Sequence, residues 1–109
     1  MSLNRFDEVV AVCDRLIQLN PASVPARRSK AMALHLLPVA KNAEALQSVE
    51  TALAIDPNDS QSLTIKSMIL DDMRMYSEAR QLLTRAIAID PTNELAIAGL
   101  EEMNRSNHW

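Results

Sequence analysis

The hexapeptide ALAIDP (residues 52–57) returns as AIAIDP (residues 86–91), so that Pro57 and Pro91 end the two copies. A third segment, FDEVVAVCDRLIQLNPAS (residues 6–23), places Pro21 at nearly the same distance before Pro57. The longer segments that align are residues 6–23, 42–59 and 76–93. Self-similarity at a fixed period is typical of repeat architectures, in which each repeat is one supersecondary unit.

Each of the three segments predicts a helix that ends at its proline. Proline disfavours helical geometry in the residue before it and has no N–H to donate. The polar residues that follow, such as Ser23, Asp59 and Asn93, can cap the next helix. In the third segment the apolar residues recur mostly at steps of three and four, which gives one broad apolar face: Ala79, Leu82, Leu83, Ala86, Ile87 and Ile89.

Further helices are predicted between and after these segments, over residues 25–37, 60–73 and 94–104. The composition supports a helical chain, because 48% of the residues are apolar and only one is glycine. No run of strand length alternates between apolar and polar residues. We therefore expect an all-α fold with six helices in antiparallel pairs, joined by short turns.

The charge and the single cysteine limit the classes of function. The formal net charge is −3, whereas nucleic-acid-binding domains usually carry a basic excess. No apolar run reaches the roughly 18–20 residues that span a bilayer. Cys13 excludes an internal disulfide and fits a reducing compartment. Because the N-terminus also lacks the pattern of a secretory signal, the sequence predicts a cytoplasmic protein that binds neither nucleic acid nor membrane.

The apolar pattern resembles that of the tetratricopeptide-repeat (TPR) family, in which Ala, a large apolar residue and Pro recur at set positions of a unit of about 34 residues. The matching sets are Ala45, Val49, Ala52 and Pro57; Ala79, Leu83, Ala86 and Pro91; and, more weakly, Val9, Cys13, Leu16 and Pro21. The sequence departs from the family at Arg27, where a Trp is preferred.

The resemblance implies a right-handed α-α superhelix, a TPR-like solenoid of about six antiparallel helices. We expect one TPR-like domain over residues 1–109. It would comprise a helix of a partial repeat (4–20), two repeats (24–59 and 60–93) and a capping helix (94–104).

The resemblance also implies a function, since the first helices of TPR proteins line a concave groove that holds a peptide. We therefore expect a protein–protein interaction module rather than an enzyme. The aligned groove positions are Arg28, Met32, His35, Gln61, Thr64, Met68, Asp71 and Asp72, with Leu95 and Ala98 closing the surface. Methionine suits a surface that accepts varied apolar side chains, but it also fills gaps in cores, so both interpretations of Met32 and Met68 stay open.

Some TPR proteins hold chaperone tails that end in Glu-Glu-Val-Asp through a clamp of Lys, Asn and Arg. Arg28 occupies one clamp position here, but Met32 stands where the clamp needs Asn. Ile65 and Gly99 occupy other clamp positions. The sequence therefore argues against that ligand.

The alternative function is structural. The first segment matches the second helix of a repeat, so its apolar face lacks the first helix of the same repeat, and solenoid ends normally need a polar cap. The chain would then be part of a longer solenoid, or would form a homodimer through this face: Val9, Val10, Cys13, Leu16 and Ile17.

Catalytic and metal sites are not expected. Asp71 and Asp72 are adjacent, and adjacent helical residues point about 100° apart and do not face each other. A phosphate-binding loop needs several glycines, whereas Gly99 is the single glycine of the chain. On the apolar face of its helix, Cys13 is expected to be a small buried hydrophobe rather than a nucleophile. We therefore predict no cofactor and no metal.

Overall fold

The computed structural model describes residues 5–37 and 41–106. Within these ranges all regular structure is helical, as predicted: α1 (Arg5–Leu19), α2 (Val24–Leu36), α3 (Asn42–Ile55), α4 (Ser60–Asp72), α5 (Tyr76–Ile89) and α6 (Glu94–Ser106). Residue 4, the predicted start of the first helix, lies outside the described residues. The helices fall into two compact units, residues 1–57 and 58–109, which are described separately.

In the first unit, α2 packs against both α1 and α3. Most of the buried side chains are small, which allows helix backbones to approach closely: Cys13, Ala26, Ala31, Ala33, Leu34, Leu37, Ala45, Val49 and Ala52. An ion pair also joins α2 to α1, with 2.7 Å between Lys30 Nζ and Asp14 Oδ1. Because both side chains are partly exposed, this ion pair adds little to the free energy of unfolding.

In the second unit, α5 packs between its neighbours in sequence, and α4 also contacts α6. The apolar core again combines alanines with a few large side chains: Leu63, Ile65, Ile69, Leu70, Ala79, Leu83, Ala86, Ala96 and Met103. Unlike the other helices, α4 also buries four hydroxyl side chains: Ser60, Ser62, Thr64 and Ser67. Buried hydroxyl groups need hydrogen-bond partners, and these partners organise one side of the unit.

Two of the three predicted capping residues accept the hydrogen bond of an N-cap. Ser23 Oγ accepts from the Ala26 amide at 3.3 Å, and Asn93 Oδ1 accepts from the Ala96 amide at 3.1 Å. Such caps satisfy amide groups that the first turn of a helix leaves without partners. Asp59 stands at the N-cap of α4 but makes no such bond.

α3 and α5, the helices that precede Pro57 and Pro91, end with the same backbone hydrogen bond. The amides of Asp56 and Asp90 each donate to an alanine carbonyl four residues earlier, at 2.9 Å. The Asp90 carboxylate then accepts from the Thr92 amide at 3.0 Å and from the Thr92 hydroxyl at 2.6 Å. These two hydrogen bonds lower the pKa of Asp90, because they favour the charged carboxylate.

The turn between α4 and α5 depends on an unusual backbone conformation. Arg74 has a φ of 63°, in the left-handed region, and is the one non-glycine residue with positive φ in the described ranges. This conformation lets the Met75 amide donate to the Leu70 carbonyl at 2.8 Å and so closes the last turn of α4. Glycine is the usual residue at such a position, since a Cβ makes left-handed geometry unfavourable.

We therefore expect Arg74→Gly to raise the free energy of unfolding by about 0.5–1 kcal/mol. Glycine relieves the backbone strain of the turn, and this gain is larger than the loss that comes from the greater entropy of the unfolded chain. Arg74→Val should lower it, because a β-branched residue fits this region worst. Urea unfolding followed by circular dichroism measures both changes. A glycine variant less stable than the wild type would show that the turn is not strained.

Candidate functional site

A concavity of about 500 Å³ opens between α4 and α6 in the second unit, and we call it the α4–α6 pocket. Leu83 of α5 also lines it. The α4 lining is Thr64, Ser67, Met68 and Asp71; the α6 lining is Leu95, Ala98, Gly99, Glu102, Met103, Arg105 and Ser106. The pocket therefore combines large apolar side chains with a few charged ones, as small-molecule and peptide sites commonly do.

The pocket brings together three of the five groove residues that the sequence placed on α4. Thr64, Met68 and Asp71 line it, together with both α6 residues predicted to close the surface. Gln61 and Asp72 are exposed on α4 without lining the pocket.

Thr64 shapes the wall of the pocket rather than offering it a hydroxyl group. The residue is only 1% exposed. Its Oγ1 donates to the Ser60 carbonyl at 2.9 Å and accepts from Asn93 Nδ2 at 3.0 Å. Because the hydroxyl hydrogen is already donated to Ser60 and the residue is buried, Thr64 has no free donor to offer a ligand in the pocket.

The Asn93 side chain is hydrogen-bonded to α4 and α6 and, through Ser60, is connected to α5. Its Nδ2 donates to Ser60 Oγ at 2.8 Å as well as to Thr64, while its Oδ1 caps α6. Ser60 Oγ in turn donates to the carbonyl of Ala86, in the last turn of α5, at 2.8 Å. This network fixes α6 against α4 and thereby sets the width of the pocket.

Asp71 and Met68 are the α4 side chains in the pocket that a ligand could contact. Both are half-buried. Oδ1 of Asp71 is shielded from solvent and accepts no hydrogen bond within the described residues. A shielded carboxylate oxygen without a donor is costly, so a ligand that supplies an N–H group would be favoured beside it.

The three predicted groove residues of the first unit lie on α2. Arg28, Met32 and His35 are all half-buried. Of the neighbouring basic residues, Lys30 pairs with α1, and Arg27 Nε donates to the Pro21 carbonyl at 2.9 Å. The prediction that these α2 residues share one groove with the α4 residues stays a prediction.

The predicted oligomer face lies on α1 and is partly exposed. Val9 is 39% and Leu16 47% exposed, Val10 and Ile17 are half-buried, and Cys13 is buried. Sequence reasoning missed the apolar residues beside this face, although they follow the same helical spacing: Phe6, Val12 and Leu19, all exposed. Desolvation raises the pKa of the Cys13 thiol, with the neighbouring Asp14 carboxylate adding to the effect, so the thiol is a poor nucleophile at neutral pH.

The described residues hold neither a metal-binding cluster nor a helix that could span a membrane. No group of three or more His, Cys, Asp or Glu side chains in residues 5–37 and 41–106 could hold a metal ion. Nor does any helix in those ranges combine the length and apolar character required to cross a lipid bilayer.

Comparison with known families identifies the repeat. Residues 60–93, which comprise α4, α5 and their turns, match the model of the tetratricopeptide repeat. This part of the chain is therefore similar to a tetratricopeptide repeat. The match confirms the resemblance noted from the sequence, and the matched range spans one full period, the distance from Pro57 to Pro91.

Solved tetratricopeptide-repeat domains share the fold at low sequence identity. The first TPR domain of Spaghetti (RPAP3), bound to an HSP90 peptide SRMEEVD, matches with a TM-score of 0.83 at 16% identity, over 97% of this chain and 82% of that one. The TPR domain of Arabidopsis OM64 matches with a TM-score of 0.82 at 19% identity, over 94% and 83% of the two chains. These matches confirm the predicted all-α, TPR-like solenoid. No curated protein sequence matches this chain.

The tetratricopeptide period also accounts for pocket residues that sequence reasoning missed. Four α6 residues of the pocket were not among the predicted groove or clamp positions: Glu102, Met103, Arg105 and Ser106. Glu102, Arg105 and Ser106 follow Met68, Asp71 and Asp72 by one period of the repeat. Extending the period one helix further would therefore have found them. Glu102 accepts from Arg105 at 2.7 Å on the exposed side of α6.

Gly99 sets how closely α6 approaches α5. A Cβ built at this position would lie 3.3 Å from Cδ2 of Leu83, tighter than an ordinary contact. Gly99 aligns with a clamp position of the family, but its contact with Leu83 gives it a role in helix packing.

We expect Asn93→Ala to lower the free energy of unfolding by about 1–3 kcal/mol, because it removes the α6 cap and two donors to buried hydroxyl groups. Asn104→Ala is the matched control, because Asn104 is exposed and accepts one hydrogen bond from Arg80. This substitution should lower the free energy of unfolding by less than about 0.5 kcal/mol. Urea unfolding measures both. Equal effects of the two substitutions would contradict the role given to the network.

Proposed function

We propose that this chain is a protein-interaction module that binds a peptide segment of a partner protein in the α4–α6 pocket. The observation that carries the proposal is the pocket itself, an open concavity of about 500 Å³ with Met68, Leu95 and Met103 in its lining. Methionine side chains are flexible and polarizable, so they adapt to varied apolar partners.

The solved neighbours support a peptide ligand in general terms. The first TPR domain of Spaghetti (RPAP3) is bound to an HSP90 peptide, SRMEEVD. At 16% identity the likeness concerns the fold, so the ligand of that domain does not transfer residue by residue. What carries over to the proposal is that this fold can hold a peptide.

The lining of the pocket favours a peptide that is apolar and carries hydrogen-bond donors. Met68, Leu83 and Leu95 offer apolar contacts, and Asp71 offers a carboxylate oxygen that accepts no bond within the described residues. Arg105 is paired with Glu102, so its charge is partly neutralised for an acidic ligand. We therefore propose that an acidic tail such as SRMEEVD binds more weakly than an apolar peptide with an amide or basic donor.

A second candidate function is the structural role considered from the sequence, in a longer solenoid or a homodimer. The exposure of Val9 and Leu16 on α1 favours it over a purely solvated helix face. The cytoplasmic location and the absence of a catalytic role predicted from the sequence stay predictions.

A selection from a phage-displayed library of random peptides tests the proposal. We expect peptides enriched on the wild type to bind Met68→Asp roughly tenfold or more weakly, since a charge then replaces an apolar contact in the pocket. Gln61→Asp is the matched control, because Gln61 is exposed on the same helix and does not line the pocket. The affinity of this variant for the selected peptides should stay within about twofold of the wild-type affinity.

The synthetic peptide SRMEEVD, measured beside the selected peptides, should bind more weakly than they do. Selected peptides that bind Met68→Asp as tightly as the wild type would refute the α4–α6 pocket as the binding site.

A further inference from the structure

The hydroxyl groups that line the α4–α6 pocket have no hydrogen to donate to a ligand. Thr64, Ser67 and Ser106 all line the pocket, and each hydroxyl already donates within the protein. The first two donate to backbone carbonyls of α4 at 2.9 and 2.6 Å, and the third donates to the Glu102 carboxylate at 3.2 Å. Since a hydroxyl group carries one hydrogen, these side chains can only accept further hydrogen bonds.

The charged side chains of the pocket carry an excess of negative charge. Asp71, Glu102 and Arg105 line it, so two carboxylates face one guanidinium group. Arg105 Nη2 lies 2.7 Å from Glu102 Oε1, and both of these side chains are largely exposed. The carboxylate that the guanidinium leaves unbalanced is therefore that of Asp71.

Asp71 is not explained by the stability of the fold. Its Oδ1 is shielded from solvent and accepts no hydrogen bond within the described residues. Arg105 follows Asp71 by one period of the repeat, but it pairs with Glu102 instead. A shielded acceptor without a donor lowers the free energy of unfolding, so its presence needs another reason.

The position of Asp71 relates it to the apolar wall of the pocket. Met68 precedes Asp71 by three residues on α4, which is about 4.5 Å along the helix axis. An extended peptide advances about 3.3 Å per residue. A ligand residue that meets Asp71 therefore lies one or two residues from a ligand residue that packs on Met68.

We infer that the partner peptide carries a lysine or arginine side chain that binds Asp71, one or two residues from the apolar residue that packs on Met68. This inference rests on the proposed function and makes Asp71 the residue that determines specificity. A cation is favoured over a neutral amide, because hydrogen bonds between ionised partners are roughly twice as strong as neutral ones. A metal ion fits less well, since residues 5–37 and 41–106 contain no group of three side chains that could hold one.

Parallel selections from one phage-displayed library of random decapeptides test the inference. The targets are the wild type, Asp71→Asn and Asp72→Asn. We expect Lys or Arg to be enriched one or two residues from a large apolar residue on the wild type, and this enrichment to disappear on Asp71→Asn. Asp72→Asn is the matched control, because it removes the same charge from the adjacent exposed residue outside the lining, and it should retain the enrichment.

A neutral analogue of arginine separates charge from hydrogen bonding. The probe is the tightest peptide enriched on the wild type, synthesised with arginine or with citrulline at the basic position, since citrulline keeps N–H donors without the charge. In fluorescence anisotropy the arginine form should bind the wild type roughly tenfold or more tightly than the citrulline form. The two forms should bind Asp71→Asn within about twofold of each other.

Two further variants fix the sign of the effect and separate it from a loss of structure. Arg105→Gln removes a competing cation from the pocket and should tighten binding of the arginine form severalfold. Asp71→Asn should not lower the midpoint of urea unfolding, because a neutral amide is less costly than a carboxylate where no donor is present.

Met68→Ala distinguishes failure of this inference from failure of the proposed function, since it removes an apolar contact without changing the charge. It should weaken binding of the arginine form severalfold. If Met68→Ala weakens binding but the selected peptides lack the basic residue, or citrulline binds as tightly as arginine, the inference is overturned and the proposed function stands. Weaker binding to Arg105→Gln would also overturn it, in favour of an anionic ligand. No enriched peptide, or equal binding to Met68→Ala and the wild type, would overturn both.

Discussion

The close packing of α4 on α5 through fully buried alanines is the constraint on which the second unit depends. Ala79 and Ala86 are fully buried, and the Ser60 hydroxyl donates directly to the Ala86 carbonyl. Ala45 and Ala52, one period earlier, are also fully buried on α3. A larger side chain at these positions would overpack the interface, which destabilises a close-packed interior by about 1–3 kcal/mol. Close packing of the helices therefore explains why small residues recur at the spacing of the repeat.

The same helix that makes this contact also positions the pocket. α4 buries its hydroxyl side chains instead of exposing them, and Asn93 provides donors for two of them while capping α6. Because a buried hydroxyl without a partner is costly, α6 is held at the one distance at which both bonds form. The apolar lining of the α4–α6 pocket is therefore held open by a polar network behind it.

The sequence predicted the fold closely and the pocket in part, for physical reasons. Periodicity and proline positions determine where helices lie, so the six helices came within two residues or so of their ends. The role of Thr64 could not be predicted, because a half-polar helix face does not reveal which hydroxyl groups turn inward to Asn93. Arg74 was missed as well, since a left-handed residue other than glycine carries no sequence signal of its own. Glu102 and Arg105, in contrast, could have been predicted by extending the repeat period from Met68 and Asp71 to α6.

Methyl NMR of the methionines tests the central claim most directly, that the α4–α6 pocket binds a peptide. Met68 and Met103 line the pocket, whereas Met73 and Met75 are exposed and lie outside it. With ¹³C-methyl-labelled methionine, titration of a library-selected peptide should shift the Met68 and Met103 signals saturably and leave those of Met73 and Met75 in place. Saturable shifts at Met73 and Met75 alone, with Met68 and Met103 unmoved, would contradict the account and place the binding surface elsewhere on the chain.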